Sequence, residues 1–90
     1  MSDGAETARV WLVERDYDDK GLVRLVYATP DGSSHLTREL SQQMLRRSAV
    51  TAAMTVERDR LEPVVDAETR DRYDAEADRM IAAHEPDDEV

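Results

Sequence analysis

Few side chains in this chain of 90 residues could do chemistry. His35 follows Ser33 and Ser34, but a serine nucleophile needs its base within hydrogen-bond reach, and neighbours on an extended strand point to opposite faces. There is no G-x-S-x-G elbow and no Cys. The reading is therefore non-enzymatic, with no catalytic residue. His84 leads into Glu85, Asp87, Asp88 and Glu89. Hard cations accept such oxygens, but the spacing matches no calcium loop, and a His closing a helix is explained by the helix dipole. Gly4, Gly21 and Gly32 each sit in a turn or tail, and none belongs to a phosphate-cradling loop. No metal and no cofactor is expected.

What remains is a surface chemistry of rings and cations. Trp11, Tyr27 and His35, with Arg15 near them, could stack single-stranded bases if one sheet face presents them together. The basic residues Arg24, Arg38, Arg46 and Arg47 are gathered in the middle of the chain, whereas residues 61–90 hold three basic and eleven acidic residues. Against nucleic-acid binding, no RNP-type motif is present, and high salt weakens phosphate contacts steeply.

The elements that must position these residues follow from turn chemistry. "ARVWLVERD", Ala8 to Asp16, is rich in β-formers and has no helix cap, so it reads as a strand. The turn "DDKG" leads to a second strand, Leu22 to Thr29, and Pro30-Asp31-Gly32 reverses the chain into a third that ends at Leu40. The first loop places Asp16 opposite Arg24, an attractive pair. A three-residue second loop places Tyr27 opposite His35, Val26 opposite Leu36 and Arg24 opposite Arg38. These registers put Val10, Leu12, Leu22, Val26, Ala28, Leu36 and Leu40 on one face. Trp11, Val13, Val23, Leu25 and Tyr27 share the other with Arg15, His35 and Thr37.

After the meander, Ser41 caps a short helix to about Arg47 with Met44 and Leu45 turned inward. A rival reading runs one helix from Ser34 to Arg47 through Leu36, Leu40 and Met44; "TPDGS" favours the chain reversal. Val50 to Val56 reads as a fourth strand at an edge, and Glu57–Val65 as a polar connection in which Pro63 excludes helix. Asp66 caps a last helix to about His84, with Tyr73, Ala77, Met80, Ile81 and His84 in one stripe. The fold class is α+β: a three-stranded antiparallel meander plus one later strand, packed by a short and a longer C-terminal helix, in the order β-β-β-α-β-α. The chain is one domain over 1–90, with 1–7 and 85–90 flexible.

With both sheet faces apolar, one remains for a partner once two helices have covered the other. Trp11, Val13, Arg15, Val23, Leu25, Tyr27 and His35 form the candidate binding surface, and a twofold homodimer is the simplest occupant, with another protein as a further possibility. Twelve basic residues stand against 21 acidic, a net charge of −9, and Lys20 is the only Lys. That balance, with Phe absent, suits a salt-loaded cytoplasm. No apolar run is long enough for a membrane span, and "MSDGAET" lacks a signal peptide's regions, so the expected setting is cytoplasmic.

"RVWLVERDYDDKGLVRLVYATPDGSSHLTREL" and "LEPVVDAETRDRYDAEADRM" resemble a small acidic uncharacterised protein family of haloarchaea. The resemblance implies a halophilic archaeal origin and brings no activity or functional residue with it.

Overall fold

The structure is a computed structural model that describes residues 6–90. Its elements are β1 (Thr7–Tyr17), β2 (Leu22–Ala28), β3 (Ser34–Ser41), α1 (Gln42–Arg47), β4 (Ala53–Glu57), β5 (Glu62–Pro63) and α2 (Ala67–Ala83), with a 3-10 turn at Arg58–Arg60. The α+β class and the order of the main elements are as the sequence implies. β5 is an addition inside the polar connection. Of the expected flexible start, residues 1–5 lie outside the described residues, and Thr7 already opens β1.

All strands join one antiparallel sheet in the order β4-β1-β2-β3-β5. Laid flat, its edges would stand four strand spacings apart, about 19 Å. Yet β4 and β5 are linked by residues 58–61 alone. A 3-10 turn with a short extended continuation spans only about 13 Å. The sheet must therefore curl. Its concave side holds Val10, Leu12, Val23, Leu25, Tyr27, Leu40 and Val56, and is plugged by Leu36, Leu45 and Leu61. The chain then passes round the lower end of β3, where the Val64 amide donates to the Ser33 carbonyl (2.9 Å). It returns as α2 across the convex side.

Two local features correct the expected faces. Asp16 does lie opposite Arg24, but the pairing slips by one residue at Val13, a β-bulge, so that Trp11 faces Ala28 and Leu12 faces Tyr27. The second loop is one residue longer than expected: Tyr27 lies opposite Leu36, Ala28 opposite His35, and Arg24 opposite Glu39 rather than Arg38. The cause is Asp31. One of its carboxylate oxygens accepts from the Thr29 hydroxyl (2.8 Å), the Ser33 amide (3.0 Å) and the Ser33 hydroxyl (2.8 Å), which draws Ser33 into the loop. The longer loop also exchanges a like-charge pair for an attractive one. Each one-residue slip moves every later side chain to the other face. Val23, Leu25 and Tyr27 thus join Val10, Leu12 and Leu40 inside the curl. Trp11, Val13, Val26 and Ala28 lie under α2 with Ala77, Val64 and Tyr73.

Those three donors hold the Asp31 carboxyl below its ordinary range, the Ser33 amide contributing most. A carboxylate with a lowered folded-state pKa contributes stability above its unfolded pKa, and the contribution is lost as pH falls through the folded value. Asp31→Asn is expected to cost about 1 kcal/mol at neutral pH. The gap to the parent should close in acid, as read by urea unfolding at a series of pH values. A gap that persists at low pH would mean that the loop does not depend on the charge.

The caps fall where expected. Ser41 Oγ accepts from the Met44 amide, and Asp66 accepts from the Thr69 amide and hydroxyl. Leu45 turns inward, but Met44 is exposed, because a six-residue helix presents only one turn to the core. Residues 85–90 fold back along the lead-in to β4. Ala52 and Ala53 amides donate to the Asp88 and Pro86 carbonyls, and the Val90 amide donates to Val50.

Candidate functional site

The residues expected to share one binding face are divided by the two slips. Val23, Leu25 and Tyr27 are buried on the concave side, Tyr27 only 1 % exposed. Burial pushes the Tyr27 hydroxyl up, with Arg38 and Arg15 partly offsetting it. Trp11, at 6 %, packs beneath α2 against Ala52, Ala53 and Ala77, with Val13 beside it. His35 is half-buried against the Tyr73 ring, 6.3 Å between centroids, and its Nδ1 is buried without a hydrogen-bond partner. Arg15 alone is exposed. One chain covers both faces, so the apolar platform that motivated a partner is not on the surface.

What the fold leaves open is a sheet edge. Among the described residues, β4 pairs with β1 from Thr7 to Trp11, and the Leu12 amide to the Ala52 carbonyl (2.9 Å) is the last backbone bond on that side. The Asp18 amide donates to the Leu22 carbonyl, so by antiparallel alternation Glu14 and Asp16 bond toward β2. Arg15 and Tyr17 therefore turn their N–H and C=O groups outward. β3 is also unpaired beyond His35, where β5 stops, but α1 packs against β3.

Beside the open part of β1 runs a groove of about 360 Å³ between the strand and α2. Leu12, Val13 and Met80 supply its apolar lining, and Glu14, Glu76 and His84 its polar rim. Glu14 is shared by Arg24 and Arg72, each at 3.4 Å, and Arg72 also lies over the Tyr73 ring, 5.5 Å from the centroid. The Arg15 guanidinium donates to the Val90 oxygen (3.2 Å) at one end of the groove.

This edge was not legible in the residue types. A bulge at Val13 carries no glycine to announce it, and the length of β4 depends on where Ala52 bends away. Among the described residues, no group of three or more His, Asp or Glu is placed to hold a metal ion, and no helix is long and apolar enough to cross a membrane.

A family model described as a family of unknown function, DUF7967, matches residues 4–90. The chain belongs to DUF7967. No curated protein and no solved structure matches it. For this DUF7967 member the chemistry must be read from the arrangement itself. Unpaired backbone donors and acceptors beside an apolar groove can hold an extended peptide.

Proposed function

We propose that this chain is a non-enzymatic interaction module whose working surface is the open edge of β1 and the groove beside it. One observation carries the reading: Arg15 and Tyr17 direct unpaired backbone groups outward next to a groove lined by Leu12, Val13 and Met80. Strand addition at such an edge takes its affinity from main-chain hydrogen bonds and its specificity from side chains set in alternate positions. The base-stacking alternative loses support, because Trp11 and Tyr27 are covered within the chain.

Amide exchange read residue by residue tests this. In the free protein, Glu14 and Asp16 amides should exchange slowly while those of Arg15 and Tyr17 exchange freely. At least one of a panel of short capped peptides with alternating side chains (neutral, cationic or anionic) should slow the Arg15 and Tyr17 amides. Arg15→Pro should abolish the effect, and Arg15→Ala, which keeps the amide, should not. If no peptide in the panel protects those amides, the reading fails.

The net charge of −9 supports a protein adapted to the salt-loaded cytoplasm of a halophilic archaeon. Raising KCl from about 0.1 M to about 1 M shortens the screening length from about 10 Å to about 3 Å and relieves carboxylate repulsion. The thermal midpoint should rise over that range; a midpoint that stays level or falls would count against halophilic adaptation.

A further inference from the structure

Resting on the edge reading, we infer that the segment β1 accepts is a cationic strand of a different protein, with basic residues at alternate positions facing α2. The argument starts from what the edge refuses. Two copies pairing β1 to β1 antiparallel must match outward residues with outward residues, which leaves few twofold registers. Arg15 opposite Arg15 sets Glu14 against Asp16 of the other copy. Arg15 opposite Tyr17 sets Asp16 against Asp16 and Glu14 against Asp18. Tyr17 opposite Tyr17 sets Asp16 against Asp18. Each register places carboxylates face to face across the join, which is destabilising, and edge charges of this kind are how sheets avoid self-pairing. The bulge at Val13 adds to the same protection.

The same charges select an unlike strand. By strand alternation the edge turns Glu14 and Asp16 to the α2 side, and Glu14 and Glu76 line the groove with Arg15 and His84 at its rim. Glu14 is partly neutralised by Arg24 and Arg72, and Glu76 lies 3.7 Å from Arg79. Asp16 also lines a smaller hollow with Asp18, Leu22, Arg24 and Glu39, in which carboxylates outnumber the one guanidinium. By alternation Arg15 and Tyr17 start from the opposite side of the edge, and the Arg15 guanidinium reaches to Val90 at one end of the groove. A strand that adds here meets carboxylates at every second position and a guanidinium with an exposed ring at the others. Lysine or arginine alternating with small apolar residues fits that sequence of contacts. The overall acidity would speed its encounter.

Three capped peptides of equal length discriminate the outcomes: Lys alternating with Val, Glu alternating with Val, and all the Lys followed by all the Val. Titrated into the whole chain at about 0.1 M KCl, where charges still act over about 10 Å, the alternating Lys peptide should bind roughly tenfold more tightly than the Glu peptide. It should also slow exchange at the Arg15 and Tyr17 amides, and the block peptide should do so much less. Asp16→Asn should reduce the preference several-fold while leaving the exchange pattern of the free protein unchanged. A Glu peptide that protects those amides as well as the Lys peptide does would overturn the charge assignment and leave the edge reading standing. A block peptide equal to the alternating one would show attraction without strand pairing, and overturns the inference. Protection by none of them overturns the inference, and the edge reading falls with it only if the neutral peptides also leave those amides unprotected. Protection of Arg15 and Tyr17 that grows with protein concentration alone would show self-pairing and overturn it as well.

Discussion

Gly32→Ala is expected to be among the most damaging single-methyl changes available in this chain, costing about 3 kcal/mol or more. Gly32 lies in the β2–β3 turn at φ +75, where a Cβ is strained in any case. The larger effect comes from the neighbouring helix. A Cβ there would collide with the Arg70 carbonyl oxygen and stand 2.9 Å from the Asp74 amide nitrogen. Both are backbone atoms of α2 and cannot swing aside as a side chain would, so the helix must lift from the sheet. Gly21 supplies the control, since it has φ +87 and nothing within 4 Å of the same added atom. Gly21→Ala should cost only about 1–2 kcal/mol of backbone strain. Chemical denaturation of both variants reads the difference, which isolates the contact with α2. Equal losses would mean that turn and helix are not in close contact.

Trp11→Ala should cost about 3–5 kcal/mol, as removal of a buried aromatic ring generally does. Trp11 is 6 % exposed and packs among Ala52, Ala53 and Ala77, with Val13 and Met80 closing around it. Small residues on three sides let backbone come close to the indole, and such rigid walls collapse poorly into the space it would leave. The emission of the only tryptophan should be blue-shifted and resist quenching in the folded protein, and should lose both properties on denaturation. A stability change under about 1 kcal/mol together with easily quenched emission would return Trp11 to the surface, where an open sheet face had been expected. The two substitutions act at different points of the α2 interface, so each tests the seating of the helix independently.

The open edge of β1 follows from the same arrangement. The sheet curls because a short crossover joins its two edge strands β4 and β5, and Leu61 of that crossover packs against the core that holds Val56. Beyond the Leu12 amide, no strand among the described residues pairs with the outer side of β1, and α2 passes at the distance that forms the groove. From Glu14 to Tyr17 the proposed binding edge is held by β2 alone, whereas β1 up to Trp11 is held by both β2 and β4. Recognition by strand addition needs such a region.

Local chemistry in the sequence determined a good deal. The turn at Asp18–Gly21, the chain reversal at Pro30-Asp31-Gly32, the caps Ser41 and Asp66, the three-strand meander, the order of the main elements and the pairing of Asp16 with Arg24 can all be read from neighbouring residues, because each is decided within a few positions along the chain. The faces could not be read that way. A strand has period 2, so one extra residue at Val13 and one in the Asp31 loop were each enough to exchange inside for outside. Tertiary structure alone decided that Trp11 and Tyr27 lie on opposite sides and are both covered. It also set the crossover that curls the sheet and the place where β4 leaves β1. These depend on contacts between residues far apart in sequence, such as Gly32 with Arg70 and Leu12 with Ala52, and no local signal carries them.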